Sequence, residues 1–192
     1  MPRRLALIER PPRAIHMPRC FLVPMKHFLR ICSLIVITGC TASADTATTP
    51  KQCPQGDFLA AVQEYVADST FINTAWEPVP GTDLDAVISS GGVACRYGLQ
   101  EAEVGVTVMW AQGVDLFSSR ANQWKSDGYT EASIDGASQA WALIEETEVE
   151  RHLWNINLLV DETWIHIGAT FLSDLEEAKD LVDAAINVTK GN

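Results

Sequence analysis

The sequence predicts an α+β fold: a mainly antiparallel sheet, built of two hairpins and one further strand, with three main helices packed on it. Three observations carry that expectation. From Cys53 to about Lys190 run about 140 residues, the common size of one domain and enough to bury a real core. Two stretches, Val93 to Ala111 and His152 to Phe171, alternate apolar and polar residues with the period of two that turns one sheet face inward. Apolar residues at helical spacing flank and separate these stretches, as layered packing of helices on a sheet requires.

In chain order, Asp57 caps a first helix reaching about Asp68, with Phe58, Leu59, Val62, Tyr65 and Val66 near helical spacing. Ser69 to Pro80 reads as irregular or weakly extended, because Pro78 and Pro80 stop any helix around Trp76. Thr82 or Asp83 caps a short helical turn through Leu84, Val87 and Ile88, ended by Gly91-Gly92. Val93, Cys95, Tyr97 and Leu99 then alternate with polar or small residues. After the turn Gln100 to Glu103, so do Val104, Val106, Val108 and Trp110, which makes a hairpin. Asp115 opens a second helix, with Leu116, Phe117, Ala121 and Trp124 on its stripe, ending at Asp127-Gly128. Ala137 to Glu145 reads as a strand, and the acidic run Glu145 to Glu150 as a solvated loop.

The last hairpin has the clearest pattern. His152, Trp154, Ile156, Leu158 and Val160 share a core face, and a tight Asp161-Glu162 turn registers them with Ile165, Ile167, Ala169 and Phe171. Ser173 or Asp174 caps a final helix with Leu175, Ala178, Leu181, Val182, Ala185 and Ile186 inward. Strand, strand, helix thus occurs twice, at 93–127 and 152–188, which suggests pseudo-duplicated ββα units, although residue identity between the copies is thin.

Ahead of this domain, Met25 to Cys40 has a basic start in Lys26 and Arg30, a short apolar run from Ile31 to Thr38, and the closing residues Ile37-Thr38-Gly39-Cys40. That is a secretory signal pattern, too short to span a bilayer core of about 30 Å. The four closing residues resemble the lipobox of bacterial lipoproteins, in which the cysteine is diacylated and becomes the new N-terminus. The resemblance implies a signal peptide over 25–39, lipid attachment at Cys40, a flexible tether over 40–52 and a single domain over 53–190. Residues 1–24, Arg- and Pro-rich and followed by Met25, read as an over-extended start. The whole is similar in type to the small envelope lipoproteins of Gram-positive bacteria, of actinobacterial kind, facing the extracytoplasmic side of the cell membrane.

Seven of the chain's 14 cations precede Cys40 against one acid, Glu9, so the formal charge of −11 becomes −17 after Cys40. Clustered cations for phosphate contacts are missing there, and no nucleic-acid partner is expected. Anionic lipid offers such a body no attraction, which leaves the acyl chains as its hold on the membrane. Of the five cysteines, only Cys53 and Cys95 lie beyond the lipid site, and in an oxidising compartment such a pair is most simply a disulfide.

The candidate surface is the second face of the last hairpin. It carries Asn155 and Asn157 on one strand and Trp164 and His166 on the other, with Asn157 across from His166. A ring with amides and an imidazole suits a sugar- or peptide-binding face. The same pattern also suits a face covered by a helix or by the Trp76 loop, with His166 satisfied by a neighbour. Among the six tryptophans, Trp110 and Trp154 fall on core faces and Trp124 on a helix stripe, leaving Trp76, Trp141 and Trp164 as platforms. An exposed Trp164 would tolerate alanine with little change in melting temperature. His152 and His166 fall on opposite faces of the hairpin. No Gly-x-Ser-x-Gly, His-Glu-x-x-His or phosphate-binding loop occurs, which argues against familiar enzyme families; Cys53 and Cys95 without nearby His or a second Cys pair fall short of four metal ligands, and neither metal nor cofactor is expected. The expectation is a non-catalytic binding or accessory module for a protein or envelope ligand; the alternative is a cell-envelope hydrolase of unfamiliar type.

Overall fold

In the computed structural model, which describes residues 46–191, seven strands pair antiparallel into one sheet. They are β1 (Thr70–Ile72), β2 (Val93–Gly98), β3 (Gly105–Gln112), β4 (Thr130–Glu131), β5 (Gln139–Glu146), β6 (Arg151–Val160) and β7 (Thr163–Ala169). Their order across the sheet is β1-β2-β3-β7-β6-β5-β4. The helices are α1 (Asp57–Tyr65), α2 (Asp83–Ser89), α3 (Val114–Ser126) and α4 (Lys179–Thr189). The α+β class with an antiparallel sheet is therefore observed, with one helix and two short strands beyond the main elements expected.

Alternation along the central strands feeds two cores, one on each sheet face. Phe58 and Val62 of α1, with Leu181, Val182, Ala185 and Ile186 of α4, pack on Tyr97, Val108, Trp110, Ile156, Leu158, Ile165 and Ile167. Trp110 Nε1 donates to Ala185 O at 3.2 Å, which satisfies its only polar atom inside that core. On the other face, Val87 of α2 and Phe117 and Trp124 of α3 pack on Met109, Ala111, Leu159 and Trp164. This arrangement bears on the suggested duplication. β3 and β7 are antiparallel neighbours, and a two-fold axis between them would keep both following helices on one face; α3 and α4 lie on opposite faces.

Local chemistry explains most element ends. Thr82 Oγ1 accepts from Asp85 N at 3.2 Å, a side-chain N-cap for α2. Asp57 is the first residue of α1 and not its cap, and its charge favours the positive end of the helix. The final helix starts later than its pattern implied: Asp174 Oδ1 caps a separate turn through Glu177 N at 2.9 Å, and α4 follows from Lys179. At the two-residue Asp161-Glu162 turn, Asp161 takes φ 50°, a left-handed conformation that aspartate tolerates better than most residues. Val160 consequently pairs with Thr163 and Asn157 with His166.

One irregularity overturns a face assignment. Leu143 pairs with Asn155 but Ile144 pairs with Leu153, which leaves Trp154 unopposed in a β-bulge. An extra residue shifts the period by one, so Leu153 is buried in the α1–α4 core and Trp154 is 39% exposed. His152 leaves the core face with it and stacks on Trp154 at a ring distance of 3.9 Å. The placement of His152 and His166 on opposite faces, which assumed unbroken alternation, fails for the same reason.

The proposed lipid site, Cys40, and residues 1–45 lie outside the described residues. The described part of the expected tether is docked. Ala47 is fully buried, its N–H donates to Asp161 Oδ2 at 3.0 Å, and its carbonyl accepts from Thr163 Oγ1 at 3.1 Å. Thr48 N donates to Thr189 O at 2.8 Å, so the domain's packing begins before Cys53. Cys53 is disulfide-bonded to Cys95, joining the segment before α1 to β2. Among the described residues, no helix is long and apolar enough to cross a membrane.

Candidate functional site

Trp164, His166 and Asn157 all turn toward the face that α2 and α3 cover. Trp164 and Asn157 are 0% exposed and His166 is 8% exposed. The expectation of an open stacking platform at Trp164 is corrected accordingly. Its ring lies 5.4 Å from that of Trp124 and 6.5 Å from that of Phe117, both on α3, and serves as core. Asn155 is half-buried. Of the other platform candidates, Trp76 and Trp141 are half-buried and partly packed against the same core.

The buried polar atoms fix one another. An indole N–H can only donate, and Trp164 Nε1 donates to Asn157 Oδ1 at 2.9 Å, which sets the orientation of that amide. His166 Nδ1 lies 3.0 Å from the same oxygen. An amide oxygen only accepts, so Nδ1 carries the imidazole proton and Nε2 is left as an unprotonated acceptor. Asn157 Nδ2 is buried with no partner among the described residues, a cost accepted because both donors require Oδ1. Burial lowers the His166 pKa from 6.5 to about 4, with Asp83 opposing the shift.

Asp83 anchors the neighbouring polar contacts. Its Oδ1 accepts from Arg120 Nε at 2.6 Å and its Oδ2 from Trp124 Nε1 at 2.8 Å, which ties α2 to α3. Tyr129 stands close by. Burial first, and the Asp83 charge second, raise its pKa to about 12, while the neighbouring Asn155 amide pulls the other way.

Next to His166 the sheet face is less deeply buried: Thr107, Gly168 and Asn155 are half-buried and Arg96 is exposed. Arg96, Thr107, Gly168 and Asn155 form one row across β2, β3, β7 and β6. A groove of about 160 Å³ lies along this row, lined by Trp76, Arg96, Glu103, Thr107, Gly168 and Thr170 among others. Gly168 keeps it open. A Cβ there would stand 2.9 Å from Asn155 Oδ1 and 3.4 Å from His166 Nε2, so any side chain would fill the space over both atoms. Trp76 lines the groove and its Nε1 donates to Ala94 O at 2.9 Å, so it brings apolar ring surface and no free polar atom. Among the described residues, no hydrogen bond reaches His166 Nε2 and no cluster of His, Cys, Asp or Glu could hold a metal ion.

Thus His166, Asn155 and Asn157 come together, Trp164 supports them from below, and His152 takes no part. Arg96, Thr107 and Glu103 were not singled out from the sequence. Their signal is non-local, because β2 and β3 reach β6 only through the pairing of β3 with β7.

A neutral imidazole has a stability consequence. The unfolded chain binds a proton at His166 near pH 6.5 and the folded chain only near pH 4, so the contribution is complete above 6.5 and is lost as pH falls toward 4. The loss amounts to about 3 kcal/mol across that window. Urea unfolding at pH 7, 5.5 and 4 should show it in the parent and not in His166→Gln. A parent-minus-variant difference that does not change with pH would contradict this account.

The fold and groove define an α+β domain that carries one fixed-tautomer histidine beside an open sheet face. Comparison with known protein families, with curated proteins and with solved structures finds no match to this chain.

Proposed function

We propose that this chain is a membrane-anchored extracytoplasmic lipoprotein whose domain is a non-catalytic binding or accessory module for a protein or envelope ligand. The anchor half of this reading is supported by the lipobox-like Ile37-Thr38-Gly39-Cys40 and by a disulfide that suits an oxidising compartment. The binding half rests on one observation: Gly168, which lines the groove, has no Cβ to stand over His166 Nε2, an acceptor fixed by the Asn157 amide. The envelope-hydrolase alternative draws on the two desolvated titratable groups, His166 and Tyr129. Both are shifted toward their neutral forms, to about 4 and about 12, whereas a working acid or base is tuned toward the operating pH. Hydrogen bonding at fixed protonation suits them better than proton transfer.

The anchor is tested by fractionation. Cys40→Ala should move the protein from the membrane to the soluble fraction, with the fold of the described domain, from Ala47 onward, unchanged. Retention of the variant in the membrane fraction would sink the lipoprotein reading.

A further inference from the structure

We infer that the groove over Thr107 and Gly168 is a subsite for a single neutral sugar ring of an envelope glycan, with a ligand hydroxyl donating to His166 Nε2. The inference deepens the binding-module reading and rests on it.

Four features of the site point to that chemistry. His166 is more than nine-tenths buried, and its Nε2 is an acceptor that a hydroxyl can satisfy but a carboxylate or phosphate oxygen cannot. Trp76 lines the groove with its one side-chain donor already used, so it offers apolar ring surface, which suits the apolar side of a pyranose. Thr107 supplies a hydroxyl that donates or accepts, whereas the Thr170 hydroxyl already accepts from Gly105 N and donates to Gly105 O; Arg96 and Glu103 add one charge of each sign, so the lining has no net preference for an ion. The groove's volume, about 160 Å³, is below that of pockets that enclose drug-sized ligands, about 300 to 1,000 Å³. It therefore takes one ring and leaves the rest of a chain outside. Gly168 is the gatekeeper, since a Cβ there occupies the hydroxyl's place above Nε2.

The test titrates the Cys40→Ala protein with maltotriose, mannotriose and N-acetylglucosamine trimer, followed by calorimetry and by the ¹⁵N shift of His166 Nε2. Expected are saturable binding of at least one trimer, a shift of Nε2 on binding, and weakening of at least tenfold in Gly168→Ala. Thr107→Val, which keeps its shape in the strand, covers the case in which Gly168→Ala disturbs the sheet, and should weaken binding as well. Vesicles carrying a glucosyl diacylglycerol distinguish the two sources of the same sugar: binding to them without binding of soluble trimers assigns the subsite to a glycolipid headgroup.

Binding that neither variant alters would overturn the groove assignment while leaving a binding module. Absence of binding to every trimer and to the vesicles at millimolar sugar would overturn the sugar inference. Native mass spectrometry of the intact lipidated protein then judges the broader reading separately, since a retained protein partner would keep it and the Cys40→Ala fractionation tests the anchor alone.

Discussion

Replacing Trp164 with alanine is expected to destabilise the domain by about 4 kcal/mol, the scale for truncating a fully buried tryptophan. For a domain of about 140 residues that lowers the melting temperature by about 15 °C. The loss has two parts. The ring is packed between the sheet and Trp124 and Phe117 of α3, so its removal leaves a cavity that the rigid strand β7 cannot close. The indole N–H also fixes Asn157. Trp164→Phe separates the parts, keeping most of the packing while removing the donor, and should cost about 1–2 kcal/mol. It has a second readout. With the donor gone, the Asn157 amide is free to rotate and offer Nδ2 to His166 Nδ1, which would move the imidazole proton to Nε2. The ¹⁵N spectrum of His166 should register that change of tautomer. An alanine variant that melts within a few degrees of the parent would restore the exposed-platform reading.

The α+β class was readable because alternation and helical spacing act over neighbouring residues. In β6 and β7 a two-residue turn leaves alternation no freedom, so the facing of Asn157 and His166 follows from residues 152–171 alone. What alternation cannot decide is which face meets water. Trp164 stands on the part of β7 that is covered on both faces, and the covering of its side depends on where α3 docks after β3. Trp154 shows the opposite failure: its position in the pattern is apolar and inward, but the bulge against Leu143 and Ile144 shifts the phase, and no turn residue marks the bulge. The short strands β1 and β4 carry three and two residues, too few for any period to register. The groove was hidden for a topological reason. Arg96, Thr107 and Asn155 are far apart in sequence, and only the order β2-β3-β7-β6 sets them in one row.

Breaking the Cys53–Cys95 disulfide is expected to cost about as much as losing Trp164, for a different reason. The bond spans 42 residues, and closing a loop of that length removes about 4 kcal/mol of unfolded-state entropy on the chain-entropy account. The folded state keeps other contacts at the same place. Phe58 of α1 packs at 5.1 Å from the ring of Tyr97 and 5.7 Å from that of Trp110, and Tyr97 Oη donates to the carbonyl of Pro54 at 2.5 Å. The double variant Cys53→Ala, Cys95→Ala should therefore fold with α1 in place but unfold at lower urea, with a loss of about 4 kcal/mol and a melting temperature about 15 °C lower. A loss under about 1 kcal/mol would mean that α1's own packing holds the segment and that the bond adds little. The magnitude matters for where the protein works. Small domains carry about 5–15 kcal/mol of total stability, so a term of this size makes the folded population depend on whether the thiols are oxidised. Thiol counting on the parent should find neither Cys53 nor Cys95 free, and a domain made under reducing conditions should match the double variant in stability.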